Sequence, residues 1–340
     1  MYFFYLSFLL IFILFTNKYF KQKKILISET GDIHQKFASK TRVPLTGGIF
    51  ILLGYFYFYN ENIFSFILFS FIIFMLGIFS DLKFIKSAKK KFFLQVLLIL
   101  LYVIFNDVQI NSTRVIFLDT ILKNNYINYL FVTFCILIII NGSNFIDGMN
   151  TLCIGYYLLI IAVIFYLQLS ELLNINNISV LYILILILLV FLLNLVNLLY
   201  LGDSGSYLLG FSFSIFLISI YNWNHHISPF FIILLLWYPS FENLFSIARK
   251  NVLNRSPMYP DAKHMHQLIF SYIKKRYNLN IFSANILTGQ TINLYNLIVF
   301  FVGLNFITNS KIQILLILLN IVTYTFIYYK FFKFKYQKND

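Results

Sequence analysis

Charge is scarce in this sequence. Only 11% of its 340 residues are charged and 60% are hydrophobic, against about 25% and about 45–50% in a soluble domain. An ordinary water-soluble domain is excluded. Acids are scarcer than bases, with 12 Asp and Glu against 26 Lys and Arg. Cysteine is nearly absent. Cys135 and Cys153 lie in or beside apolar segments, and no Cys-x-x-Cys or Cys/His metal spacing occurs. The two therefore read as small buried hydrophobes. There is no internal repeat and no domain-sized polar loop. A leader's cleavage site is also missing. The first apolar run, "YFFYLSFLLIFILF", has no basic segment before it and no small-residue site after it, so it reads as a retained helix.

What the chain does have is long apolar runs. "NISVLYILILILLVFLLNLVNLLYL" and "SPFFIILLLWYPSFENLF" can each cross a hydrocarbon core of ~30 Å, which takes about 20 helical residues. Hydropathy places about eleven spans, at 2–17, 46–60, 63–79, 92–106, 127–143, 152–169, 177–198, 206–222, 229–247, 290–307 and 312–330. The expected fold is an all-α polytopic integral membrane protein. With that count, loops 18–45, 81–91 and 248–289 and the C-terminal tail fall on one side and hold 23 of the 26 basic residues. Only Arg114, Lys123 and Lys311 fall on the other. The basic side reads as cytoplasmic, which puts the N-terminus outside and the C-terminus inside. Orientation and anionic lipid account for the net charge of +14 without any nucleic acid.

The acids follow the same geometry. Asp81 ends the third span in "GIFSDLKF", Asp147 follows the fifth in "NGSNFIDGMN", and Asp203 follows the seventh in "LGDSGS". Asp261 lies in the last large loop, "RSPMYPDAKHMHQ". All four fall on the basic side, and the first three should share one membrane level. Any one of them could equally be a solvated helix cap. Three together, with Asn141 and Asn144 nearby, read better as oxygen ligands for a shared hard cation such as Mg²⁺, with phosphate completing its shell. Gly148, Gly202 and Gly205 beside them permit tight turns. His264 and His266 form an H-x-H pair, whose rings would face one way on an extended segment and diverge on a helix. Alone the pair is weak, and His225-His226 on the outer side reads as incidental.

At this point the residues resemble a family, the polyprenyl-phosphate N-acetylhexosamine-1-phosphate transferases. "QKFASKTRVPLTGG", "GIFSDLKFIKSAKKKFFLQ", "NGSNFIDGMNTL", "YLGDSGSYLLG" and "RSPMYPDAKHMHQLI" resemble its five cytoplasmic motifs, in family order, over residues 35–268. Two positions depart. The family's first motif aspartate pair is Ser80-Asp81 here, and its Gly-Leu after Asp-Gly is Thr151-Leu152. The resemblance implies a single membrane-embedded domain over 1–340, with a motif-bearing core and a loop at 248–289 carrying H-x-H. It implies an active site built from cytoplasmic loops in a bacterial inner membrane. The implied reaction moves a sugar-1-phosphate from a UDP-N-acetylhexosamine to polyprenyl phosphate and releases UMP, initiating an envelope glycan of the O-antigen or teichoic type. UDP-GlcNAc or a deoxy-aminosugar donor is favoured by the H-x-H loop.

The same resemblance assigns roles. Asp203 and Asp147 would hold Mg²⁺, with Mn²⁺ as a substitute. Asp81 would act as base or orient phosphate. Asn144, Asp147 and Asn150 would line the nucleotide pocket, and Lys40, Arg42 and Arg255 would contact phosphate. His264 and His266 would hold the pyrophosphate or assist transfer. A homodimer is compatible with this reading. Two rivals stand beside it. A transporter or flippase would place ionisable groups near the midplane in repeated halves, and neither feature is found. A non-catalytic or weakened relative rests on Ser80 alone.

Overall fold

The computed structural model describes residues 2–28, 42–57, 63–173, 177–254, 256 and 262–336. Among them the secondary structure is helical, apart from one antiparallel bridge between Ile27 and Pro44. The helices in chain order are α1 (Tyr2–Lys23), α2 (Gly47–Phe56), α3 (Phe64–Asp81), α4 (Ala88–Phe105), α5 (Ile116–Leu122), α6 (Asn125–Ile146) and α7 (Leu152–Leu169). They continue with α8 (Asn177–Leu195), α9 (Gly202–Trp223), α10 (Pro229–Leu235), α11 (Trp237–Val252), α12 (Met265–Arg276), α13 (Ile281–Leu304) and α14 (Ser310–Tyr336). Several starts are dictated locally. Asn124 accepts the N–H of Tyr126 at 3.0 Å, Ser228 that of Phe230 at 3.2 Å, and Asn280 that of Ser283 at 2.7 Å. Each side-chain oxygen satisfies a first-turn donor that the helix itself leaves open.

All eleven apolar segments expected from hydropathy contain helix. Seven helices, α1, α3, α6, α7, α9, α13 and α14, are long and apolar enough to cross a membrane. Two of the other segments depart from a straight full-length span. The span expected at 229–247 is not straight: α10 and α11 meet at a 73° bend. Pro239 explains it, because a proline ring clashes with the carbonyl four residues earlier, here Leu235. Once the chain has bent at Leu236, Pro239 sits in the first turn of α11, where no N–H is needed. Within the segment 46–60, α2 has ten residues, or about 15 Å, half the thickness of the core. The loop 248–289 holds a full helix, α12.

The hub is α9. Of its apolar window 83% is buried inside the protein, against 22% for α1 and for α14. In hydrocarbon, apolar burial does not drive helices together, so close approach of small residues does. A Cβ on Gly77 of α3 would lie 2.3 Å from Ser204 Cα, and one on Gly210 of α9 would lie 2.7 Å from Ile140 Cα. A Cβ on Gly48 of α2 would meet Gly205 N at 2.7 Å. Helices α2, α3 and α6 thus press onto α9 at backbone distance. The segment before α2 is tied to the entry of α9 as well, by Tyr200 N–H to Pro44 O at 2.8 Å and Gly47 N–H to Tyr200 O at 2.9 Å.

The opposite end of the bundle is closed by Arg114. Its guanidinium donates to the carbonyls of His225, His226 and Ile227 at 2.8, 3.1 and 2.9 Å. It also reaches Thr308 O at 3.1 Å and Ser310 Oγ at 3.2 Å. One of the three basic residues off the basic side is therefore a clamp on three loops.

Candidate active site

The three acids that the sequence placed at one level all lie at the entry of α9. Asp81 at the end of α3 accepts the backbone N–H of Asp203 on Oδ1 at 2.9 Å and that of Ser204 on Oδ2 at 3.1 Å. Asp147, just past α6, accepts the N–H of Gly202. The first turn of α9 therefore has its open donors capped by two carboxylates from other helices, the placement its dipole favours. Gly202 has φ +69°, and a Cβ there would lie 2.8 Å from Asp81 Oδ2. Only glycine allows both that turn and that approach.

Asp203 is held from several sides. Its Oδ2 accepts from Ser80 Oγ, from Tyr207 OH at 3.3 Å and from Lys91 Nζ at 3.4 Å. Its Oδ1 accepts from Asn144 Nδ2 at 3.2 Å. The side chain is still 26% exposed, so a ligand can reach it. Charge crowds the site. Burial, then the charges of Asp203 and Asp81, hold the Asp147 carboxyl well above the usual carboxylate range, and the Gly202 N–H opposes that shift. A cation between these groups would reverse the crowding.

The histidines come to the same place from the other side. His264 is the extended N-cap of α12 and His266 sits one residue inside the helix. The pair straddles a helix start, so the rings neither diverge nor stand on a strand. They stack, with centroids 5.6 Å apart and planes at 8°. His264 Nδ1 lies 2.8 Å from Glu242 Oε1 and its ring packs 5.0 Å from Phe145. A Cβ on Gly148 would lie 2.7 Å from His266 Nε2. The imidazole therefore rests on the turn that carries Asp147. Both ring nitrogens of His266 are buried without a hydrogen-bond partner. Burial first, then the neighbouring His264, pushes its pKa down to about 3, against the pull of Glu242.

A family model described as glycosyl transferase family 4 matches residues 63–221, the stretch from α3 through α9 that supplies all three acids. Over that stretch the chain is similar to this family. Two relatives agree. One is the probable undecaprenyl-phosphate N-acetylglucosaminyl 1-phosphate transferase of Bacillus subtilis (strain 168), 28% identical over 206 residues, 60% of this chain and 57% of that protein. The other is the undecaprenyl-phosphate alpha-N-acetylglucosaminyl 1-phosphate transferase of Thermotoga maritima, 26% identical over 233 residues, 68% of this chain and 70% of that one. The chain spans less than two thirds of the Bacillus relative it matches.

Not every family position converges on the acids. Asn150 is buried and turns away, its Nδ2 donating to Asn197 Oδ1 and its N–H to Asn285 Oδ1 at 2.7 Å. It joins α7, α8 and α13 instead of lining an open pocket. Arg42 is exposed. Lys40, Arg255 and Asp261 lie outside the described residues. Three residues that sequence reading passed over belong to the site. In the sequence Lys91 is one of the basic residues of loop 81–91, and Tyr207 falls inside the apolar segment 206–222. Glu242 is buried, binding His264, the N–H of Met265 at 3.4 Å and Tyr324 OH at 2.7 Å. Its signal was present: a single acid in "WYPSFENLF".

The donor set suits a hard divalent cation. Among the described residues no three Asp, Glu, His or Cys side chains close on one point. Mg²⁺ takes one or two carboxylates and completes its octahedron with water and phosphate. Asp203 and Asp147, partly exposed and mutually repelling, fit that demand.

Proposed function

We propose that this protein transfers N-acetylglucosamine 1-phosphate from a UDP-sugar to a polyprenyl phosphate of undecaprenyl type, at the start of an envelope glycan. The observation that carries it is the meeting of Asp81, Asp147 and Asp203 at the entry of α9, inside the segment shared with the family. The basic loops at this end face the cytoplasm, where nucleotide sugars are found, and the bacterial inner membrane supplies the lipid.

A lipid phosphate oxygen attacks the sugar-bearing phosphorus of the UDP-sugar. The bond from that phosphorus to the bridging oxygen breaks, and the electron pair leaves with UMP. No carboxylate base is required, since a phosphate monoester is already largely dianionic at pH 7, with a second pKa near 6. Asp203 and Asp147 are the residues that would hold Mg²⁺. The chemistry it supplies when bound is neutralisation of charge on the donor's pyrophosphate, which improves UMP as leaving group.

This chain's own groups do the rest. Asp81 fixes the first turn of α9 and so aims Asp203. Ser80, where the family has a second acid, donates to Asp203 and adds no negative charge. Lys91 offers an ammonium beside the acids for a phosphate oxygen. His266, neutral and unpartnered, can donate one ring N–H to pyrophosphate as charge shifts during transfer. Glu242 binds His264 Nδ1 and thereby settles which way that ring faces.

The test is product analysis. Purified protein in detergent with UDP-GlcNAc, polyprenyl phosphate and Mg²⁺ should yield polyprenyl-diphosphate-GlcNAc by mass spectrometry, together with stoichiometric UMP. A panel of UDP-aminosugars run alongside identifies the donor. No lipid product from any of them would overturn the reading.

A further inference from the structure

A cavity of about 490 Å³ lies between α11, α12, α13 and α14. Its walls include Trp237, Met265, Tyr295 and Lys330. Apart from a few hydroxyls the lining is apolar, and the one cation in it is Lys330, whose side chain is exposed. The volume is that of a small-molecule site. Two lining residues, Leu287 and Phe326, are 44% and 70% exposed on α13 and α14, helices apolar and long enough to span a bilayer. Where those helices cross the bilayer, an opening flanked by such residues faces acyl chains, not water.

Charge names the class of occupant. Residues 262–336 contain no Asp or Glu. Helix α12 ends in Lys274, Lys275 and Arg276, and α14 ends in Lys333 and Lys335. Lys275 Nζ stands 5.7 Å from the ring of Phe334, which brings the two basic ends together near Lys330. The acid on the packed element α11, Glu242, is buried and bound to His264 and Tyr324, so it does not offset this rim. An apolar chamber open to lipid beneath a rim whose charged groups, among the described residues, are all cationic matches a molecule with an acyl chain and an anionic head.

We propose that this cavity takes an acyl chain of an anionic phospholipid from the adjoining leaflet, with the phosphate held by Lys330 and Lys275. The cavity adjoins the candidate active site, since Met265 and Tyr324 line it and both bind Glu242, but the proposal does not depend on the transferase reading.

The two tryptophans of the chain make it testable. Trp237 lines the cavity, while Trp223 is 71% exposed at the end of α9. In Trp223→Phe protein in phosphatidylcholine bilayers, Trp237 fluorescence is titrated with acyl-brominated phosphatidylglycerol or acyl-brominated phosphatidylcholine. Half-quenching by the anionic lipid should come at a roughly thirtyfold lower mole fraction, the factor that about 1 kcal/mol from each of the two lysines supplies. Lys330→Gln, a change at an exposed side chain, should remove most of that preference and leave phosphatidylcholine quenching unchanged. Equal quenching by the two lipids, or none by either, would overturn the proposal. So would a preference that survives Lys330→Gln combined with Lys275→Gln. Unlabelled polyprenyl phosphate and unlabelled phosphatidylglycerol then compete against the brominated lipid. Displacement by the first and not the second would assign the cavity to the isoprenoid and reject the phospholipid.

Discussion

Asp81 holds the helix on which Asp203 stands: its two carboxylate oxygens accept the N–H groups of Asp203 and Ser204 at 2.9 and 3.1 Å. An acid at the end of one membrane helix caps another helix 121 residues later in sequence, so folding and site geometry rest on the same two hydrogen bonds. Asp81→Ala should cost about 0.5–2 kcal/mol of stability, as a lost N-cap does, and should lower turnover with it. Thermal unfolding and UMP release, measured on the same preparation, check this. Loss of turnover with an unchanged unfolding temperature would point to Asp81 as a base instead.

Ser80 is the second handle. Its hydroxyl donates to Asp203 Oδ2. Ser80→Asp replaces a donor by a carboxylate against a carboxylate, so it should lower stability in metal-free buffer and, because a cation relieves that repulsion, lower the Mg²⁺ concentration needed for half-maximal turnover. Ser80→Ala removes one of several donors and should cost less than tenfold in rate, about 1.4 kcal/mol. A tenfold gain in turnover in Ser80→Asp at saturating Mg²⁺ would show that the native site lacks a carboxylate it needs.

His266 makes a pH prediction. Its folded pKa is about 3 against 6.5 for a free histidine. Below pH 6.5 the unfolded chain binds a proton that the folded chain refuses. Stability from this group is therefore fully present above pH 6.5 and is lost as pH falls toward 3. His264, Glu242 and Lys335 also act on this ring, so the informative quantity is a difference. The unfolding temperature of His266→Phe, followed from pH 7.5 to about 5, should fall less steeply than that of the unaltered protein. Parallel slopes would contradict it.

Much of this was legible in the sequence, and the reasons can be given residue by residue. The apolar runs marked every helical segment but α5 and α12, because a bilayer demands length and composition together. Asp81, Asp147 and Asp203 could be set on one level because successive spans alternate in direction. The bend at Leu236 escaped because a hydropathy window averages over Pro239. Lys91 escaped because three lysines in a row on the basic side carry an orientation signal that hides a contact. Asn150 shares a motif with Asp147 but not its direction, since a turn three residues long can send neighbouring side chains to opposite sides. The H-x-H geometry could not be settled in advance, because it depends on where α12 begins.

The most direct test is Asp203→Asn, which keeps shape and most hydrogen bonds while removing one negative charge. Unfolding temperature and membrane insertion should stay close to those of the unaltered protein, because Asp81 still caps α9. UMP release from UDP-GlcNAc and polyprenyl phosphate should fall by at least a hundredfold, about 2.7 kcal/mol in barrier, and should not recover at high Mg²⁺. Turnover in the Asn variant comparable to the unaltered protein at low Mg²⁺ would contradict the placement of the reaction at the entry of α9.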